Sequence, residues 1–176
     1  PVRPLAELFP GIESGRVALP ASAWNPGAGE LPLPESFVLA ALCQWVQPRL
    51  ILEIGTFRGA STLLLAMNAP EDALVYTLDL PPDDRRTQHP LQIGGVEALA
   101  SSVGQRYRGT PSASRIRQLY GDSAVFDFSP YAARAGLIYV DGNHEYANVR
   151  TDSQTALRCL APGGVILWDD YHPVYG

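Results

Sequence analysis

Side chains able to move a proton or hold a cation follow two short apolar runs. Ile138-Tyr139-Val140 leads into Asp141-Gly142-Asn143-His144-Glu145-Tyr146, and Ile166-Leu167-Trp168 leads into Asp169-Asp170-Tyr171-His172. If the runs are adjacent parallel strands, Asp141, Asp169 and Asp170 converge at one mouth. Converging carboxylates repel unless a cation or protons lie between them. An all-oxygen set suits a hard divalent ion such as Mg2+. Successive strand residues face opposite ways, so Asp169 and Asp170 can both be ligands only if the strand ends at Trp168. The alternative is that one acid holds a metal or a cofactor amine while the others cap loops. A histidine can accept a proton in neutral solution, which makes His144 a candidate base. It could equally cap the following helix or support a metal ligand. His172 is a more distant candidate, and His89 falls in a long loop.

A second constellation follows the first apolar run, in Glu53-Ile54-Gly55-Thr56-Phe57-Arg58-Gly59-Ala60-Ser61. Gly55 allows a tight turn and close approach of backbone to a ligand. Gly59 lets a helix start near the strand, and Ser61 can cap it or bond an anion there. The spacing is neither the dinucleotide fingerprint nor a P-loop. Glu53 would repel pyrophosphate and attract an ammonium or sulfonium group. Asp79, followed by Leu80, stands 24 residues after Gly55 at a second strand end. Its two acceptors match two ribose hydroxyls. Gly121-Asp122-Ser123 ends a third strand, where a polar pair can reach a base amino group or simply form an Asx turn.

These groups need elements that bring them to one edge. Five short runs read as strands: Leu50–Ile54, Leu74–Leu80, Arg115–Tyr120, Leu137–Val140 and Val165–Trp168. Helix-compatible segments lie between most of them: Ser61–Met67, Val96–Arg108 and Glu145–Leu160, with a short helix in Ala124–Ala135. The alternation predicts an α/β fold, a doubly wound parallel sheet covered on both faces. A first helix is expected over 35–47, with Phe37, Val38, Ala41, Leu42, Trp45 and Val46 on its buried face and Pro48 ending it. Residues 1–34 read as an irregular arm with Trp24 as its anchor. Pro81–Gly95 reads as a long loop.

The chain has 176 residues, 46% of them hydrophobic, and a formal charge of −5. That fits one domain and disfavours a nucleic-acid partner. All 13 basic residues are Arg. The absence of Lys removes Schiff-base, Lys-base and P-loop lysine chemistry. Cys43 and Cys159 fall in apolar helical stretches and are expected as buried thiols. No run is long enough for a membrane span and no signal peptide is visible, so a cytoplasmic protein without a membrane partner is expected.

The glycine loop, Asp79 and Gly121-Asp122-Ser123 together resemble the class I S-adenosylmethionine-dependent methyltransferases, over about residues 35–172. The resemblance implies a Rossmann-like domain across 35–176. It sets Glu53, Gly55, Thr56, Phe57 and Gly59 against the methionine part of the cofactor, with Ser61 near its carboxylate. It sets Asp79 and Leu80 at the ribose, Asp122 and Ser123 at the adenine, and Asp141 beside the cofactor.

Asp-Gly-Asn-His-x-Tyr, then a helix and Pro162-Gly163-Gly164-Val165, resembles a metal-assisted O-methyltransferase subgroup. Macrocin O-methyltransferase and cephalosporin-hydroxylase-like proteins stand near it, and catechol O-methyltransferase further off. That resemblance implies Mg2+ on Asp141, Asp169 and Asp170. It places His144 where the catechol type has its lysine base, and it implies a small hydroxylated acceptor, a sugar or natural product. Self-association is allowed. The family carries two further strands, an antiparallel pair, which residues 173–176 are too few to supply. A C-terminally truncated domain with an open sheet edge is therefore expected. Two other readings stand beside this one. One is a nicotinamide dehydrogenase, disfavoured by the glycine spacing and by Glu53. The other is a catalytically silent cofactor-binding or interaction domain.

Overall fold

A computed structural model describes residues 3–84 and 102–170, and the backbone alone of 91–93 and 96–98. Five parallel strands form one sheet: β1 (Leu50–Ile54), β2 (Leu74–Asp79), β5 (Ile116–Tyr120), β6 (Ala135–Val140) and β7 (Leu160–Trp168). Their order is β5-β2-β1-β6-β7. The chain winds outward from β1 through β2 to β5, then returns to set β6 on the other side of β1. The switch point, where doubly wound sheets bind ligands, therefore lies beyond the carboxyl ends of β1 and β6.

Both faces are apolar because helices cover both, as parallel sheets require. Ile51, Val75 and Leu137 pack with α2 (Leu33–Val46) and α3 (Ala60–Asn68). Leu52, Ile54, Leu78, Ile138 and Val140 face the other way, against Ala156 and Cys159 of α4 (Tyr146–Cys159). Cys43 and Cys159 are free and buried, as expected.

Several boundaries and faces differ from the sequence reading. In α2 the buried residues are Ser36, Leu39, Ala40, Leu42 and Cys43. Of the expected core face, Phe37 is 53% exposed and Trp45 42%. The helix is apolar nearly all round, so periodicity could not choose its face. Trp45 is covered by the arm instead. Its indole Nε1 donates to the Pro10 carbonyl at 3.0 Å, and Phe9 meets its ring edge-on at 5.2 Å.

The arm is not irregular throughout. It holds α1 (Leu5–Leu8) and 3-10 turns at Ile12–Ser14 and Ala21–Trp24. Trp24 is no anchor, being 70% exposed. The side chain of Asn68, at the end of α3, instead donates to and accepts from the Ala18 backbone, each bond 2.8 Å long.

No helix runs over Val96–Arg108. Leu91–Ile93 (β3) and Val96–Ala98 (β4) form a small antiparallel pair, which also shortens the expected loop. Residues 103–109 form turns. Gly104 has φ +72°, and a Cβ there would sit 2.4 Å from the Tyr107 hydroxyl, so this backbone cannot continue a helix with any larger residue. β7 begins five residues before the expected Val165 and includes Pro162, with a register shift against β6. An edge strand tolerates such a proline. Among the described residues no helix is long and apolar enough to cross a membrane.

Candidate functional site

The loop after β1 is held by the acid that ends β2. Asp79 Oδ2 accepts the backbone N–H groups of Thr56 at 3.1 Å and Phe57 at 2.7 Å, and Oδ1 accepts that of Leu80 at 2.7 Å. Three of about four acceptor positions on the carboxylate are thus filled by the chain, leaving one on Oδ1. Burial raises the Asp79 pKa, and these three N–H donors oppose the rise. Phe57 has φ +46°, a region few non-glycine residues adopt. It is pinned there on both sides, since its carbonyl accepts the Gly104 N–H at 2.8 Å. Thr56 is 1% exposed, and its hydroxyl lies 2.6 Å from that of Thr77.

The two loop glycines serve the protein's own packing. At Gly55, φ +98°, a Cβ would lie 1.8 Å from the Asp141 carbonyl oxygen. The close approach expected toward a ligand is therefore an approach to the β6 loop. At Gly59, φ +79°, a Cβ would lie 2.6 Å from the Tyr107 ring. Gly59 is itself the N-cap of α3, so Ser61 does not cap that helix. Ser61 is buried beside Glu53 instead.

Glu53 is fully buried between its β2 and β6 neighbours, Thr77 and Tyr139. Oε2 accepts the Thr62 hydroxyl, while Oε1 is buried with no hydrogen-bond partner. Burial pushes its pKa up to about 7, against the opposing hydroxyls of Ser61, Thr62 and Thr77. The folded value lies above the ordinary 4.5, so stability falls as pH rises from about 4.5 and levels off above about 7. Glu53→Gln is expected to remove that fall. Thermal melts should show the smallest difference from the parent near pH 4 and a more stable variant near pH 8. Parallel melting curves across this range would contradict the assignment.

A second layer clasps the loop from outside. The N–H of Arg106 donates to the Arg58 carbonyl at 2.8 Å. The Arg106 guanidinium holds Glu30 of the arm through two bonds of 2.7 Å, and the Glu30 side chain is only 2% exposed. Tyr107 donates to Gln118 at 2.6 Å, and Gln118 Nε2 donates to Thr56 Oγ1 at 3.0 Å. None of Glu30, Arg106, Tyr107 or Gln118 was singled out in the sequence, because no local spacing links them. Arg106→Ala removes two of the three donors to Glu30, leaving the Gly27 N–H, and is expected to cost about 1–2 kcal/mol, since the Arg106 side chain is itself 34% exposed. Hydrogen exchange at the residue 104 and 106 amides should quicken in step. Unchanged stability and exchange would show that the clasp holds nothing.

At the mouth, the N–H of Asp141 donates to the Ile54 carbonyl at 2.8 Å and that of Asp169 to the Val140 carbonyl at 3.0 Å. These bonds align the ends of β1, β6 and β7. β7 ends at Trp168, the condition for Asp169 and Asp170 to act together. Burial, then the Asp169 carboxylate, pushes the Asp141 pKa up to about 9. Burial and the neighbouring carboxylate thus favour the protonated form of Asp141. Asp170 turns to solvent with φ +54° and meets His144 Nδ1 at 3.4 Å, both side chains more than 60% exposed. His144 precedes the α4 cap, which is Glu145. The donor chemistry suits Mg2+, but among the described residues no three carboxylate, His or Cys side chains are grouped to hold a metal ion. The Mg2+ expectation is not met by this arrangement. His89, Tyr171 and His172 lie outside the described residues.

At the β5 end, Asp122 Oδ1 accepts the Ala124 N–H at 2.9 Å, the Asx turn that stood as its alternative. Burial raises the pKa of Asp152 in α4, and a hydrogen bond with Ser123 opposes the rise. Asp152 is 1% exposed with Oδ1 unpartnered, and it packs near Gly142. Position 152 carries no sequence signal beyond an acid within a helix.

A family model described as a methyltransferase domain matches residues 52–171. The chain belongs to that family. It is 25% identical over 148 residues to a probable caffeoyl-CoA O-methyltransferase of Arabidopsis thaliana, covering 83% of this methyltransferase-family chain and 58% of the plant protein. The chain thus spans little more than half of that relative's length. The fold matches the O-methyltransferase TomG of Streptomyces achromogenes, solved with S-adenosylmethionine, at TM-score 0.64 and 22% identity, over 97% of this chain and 78% of that one. It also matches an O-methyltransferase of Bacillus cereus, solved with S-adenosylhomocysteine, at TM-score 0.60 and 21% identity, over 84% and 60%.

Proposed function

We propose that this domain binds S-adenosylmethionine and methylates a hydroxyl of a small molecule. The observation that carries the proposal is the loop at the switch point. It is tied to Asp79 and overlies a buried Glu53 oxygen with no donor. An acceptor without a donor suits the ammonium of the methionine part, and the remaining Oδ1 position of Asp79 suits a ribose hydroxyl. At the other end, Asp122 and Ser123 stand at the end of β5, where an adenine amino group would lie. The family membership and the two cofactor-bound structures support this choice over a nicotinamide.

When bound, the cofactor supplies a sulfonium methyl whose C–S bond breaks as a C–O bond forms. His144 takes the hydroxyl proton on its imidazole, and Asp170 orients the ring. Asp141, held protonated by burial and by Asp169, donates its O–H to the acceptor oxygen and so orients it. No step is assigned to a metal.

A cofactor-binding domain without turnover is the second reading, favoured by the exposure of His144 and Asp170. Transfer of labelled methyl to a panel of hydroxylated metabolites tests both. Product formation supports the proposal, while S-adenosylhomocysteine binding without product from any acceptor supports the second reading. The assay runs with Mg2+ and with chelator. Equal rates leave activation to His144. A rate seen only with Mg2+ would require Asp141, Asp169 and Asp170 to regroup around an ion.

A further inference from the structure

Between the first turns of α2 and the end of β7 lies a pocket of about 250 Å3. Its sides are apolar, from Leu31 and Val38 on one wall and Leu167 and Trp168 on the other. Three polar side chains also line it: Glu35, Asp169 and Tyr139. Tyr139 is 3% exposed; its buried hydroxyl makes no hydrogen bond of ordinary geometry, and the Asp169 carboxylate is the acceptor beside it. A hydroxyl satisfied so poorly favours a polar group brought in beside it.

The charge of the pocket has one sign. Burial first, then the Asp169 and Asp170 carboxylates, raise the Glu35 pKa, so these acids act on one another across the pocket mouth. Among the described residues no basic side chain forms an ion pair with Glu35 or Asp169; the pairs near the mouth are His144 with Asp170 and Arg106 with Glu30. A carboxylate or phosphate entering here would meet uncompensated anions, whereas a cation would relieve them. The apolar walls accept an aliphatic or aromatic body. Asp169 belongs both to this pocket and to the mouth where Asp141 stands, so the pocket adjoins the proposed methylation site.

We infer that the pocket between α2 and β7 binds a protonated amine on a small apolar or aromatic body, and that the acceptor class is hydroxylated amines rather than acids, phosphates or acyl thioesters bearing phosphates. This rests on the proposed methyl transfer for its meaning, but the binding stands on the pocket alone. The amine lies between Glu35 and Asp169, and the Tyr139 hydroxyl gains a polar neighbour.

Two phenols of matched size separate the charge from the body: tyramine and 3-(4-hydroxyphenyl)propanoate. Each is titrated into the chain at low salt, with and without S-adenosylhomocysteine, and read by ligand-observed NMR. Tyramine is expected to bind at least about tenfold tighter. Glu35→Gln, an exposed substitution that leaves the core alone, should reduce that preference roughly fivefold. Raised salt should reduce it too. Tyr139→Phe should weaken tyramine more than the acid, because only the amine gains the hydroxyl as a neighbour. Equal affinities, a preference for the acid, a preference untouched by Glu35→Gln, or no binding of either at millimolar concentration would each overturn the inference. Failure of the functional proposal reads differently. There the chain would not bind S-adenosylhomocysteine, while the tyramine preference would persist without it.

Discussion

Replacing His144 with alanine is expected to lower methyl-transfer turnover by about 10²–10⁴-fold, the usual contribution of a positioned general base. The imidazole stands beside Asp170 at the mouth of the sheet, outside the core, so the variant should fold and melt like the parent. Its ring touches none of the groups assigned to the cofactor, so S-adenosylhomocysteine affinity should stay nearly constant. The pH–rate profile should lose its acidic limb, because the group whose protonation stops the reaction has gone. Asp170→Asn should cost less, since it leaves the base in place and removes only its orienting partner. Turnover of His144→Ala within about threefold of the parent, with the acidic limb intact, would reduce His144 to a loop residue preceding α4.

Asp79→Ala is expected to weaken S-adenosylhomocysteine binding by about 1.5–3 kcal/mol, the scale of hydrogen bonds to a charged group. The loss has two sources. One is the remaining Oδ1 position proposed for the ribose. The other is the loop itself, since Thr56 and Phe57 lose the acceptor that holds their N–H groups. The loop contribution should show as faster exchange of those two amides in the empty variant. Unchanged affinity in a folded variant would move the cofactor away from the end of β2.

The sheet was legible in the sequence because each buried strand is a short apolar run closed by Gly or Asp, a local signal. All five main strands and the helices after β1 and β6 overlap those runs, with β6 and β7 starting earlier than expected. The site was legible in part for the same reason: residues at strand ends are fixed once the strands are. Features with no local signature were hidden. The buried face of α2 was ambiguous because apolar residues surround it, and the arm rather than the core covers Trp45. The turns at 103–109 imitate a helix in their apolar spacing until the left-handed Gly104 is seen. The Glu30–Arg106 clasp joins residues 76 positions apart. The three acids of the mouth do not face one another alike: Asp141 is buried, with its pKa raised by burial and by Asp169, whereas Asp170 turns outward to His144, a division no local spacing reveals.

The central claim is that the carboxyl ends of β1, β2 and β5 form a site for an S-adenosyl cofactor. Calorimetric titration of the intact chain with S-adenosylhomocysteine, and separately with NAD, tests it most directly. The account predicts saturable binding of S-adenosylhomocysteine at one site per chain and no comparable binding of NAD. Saturable NAD binding, or no heat and no thermal stabilisation with S-adenosylhomocysteine at millimolar concentration, would contradict it.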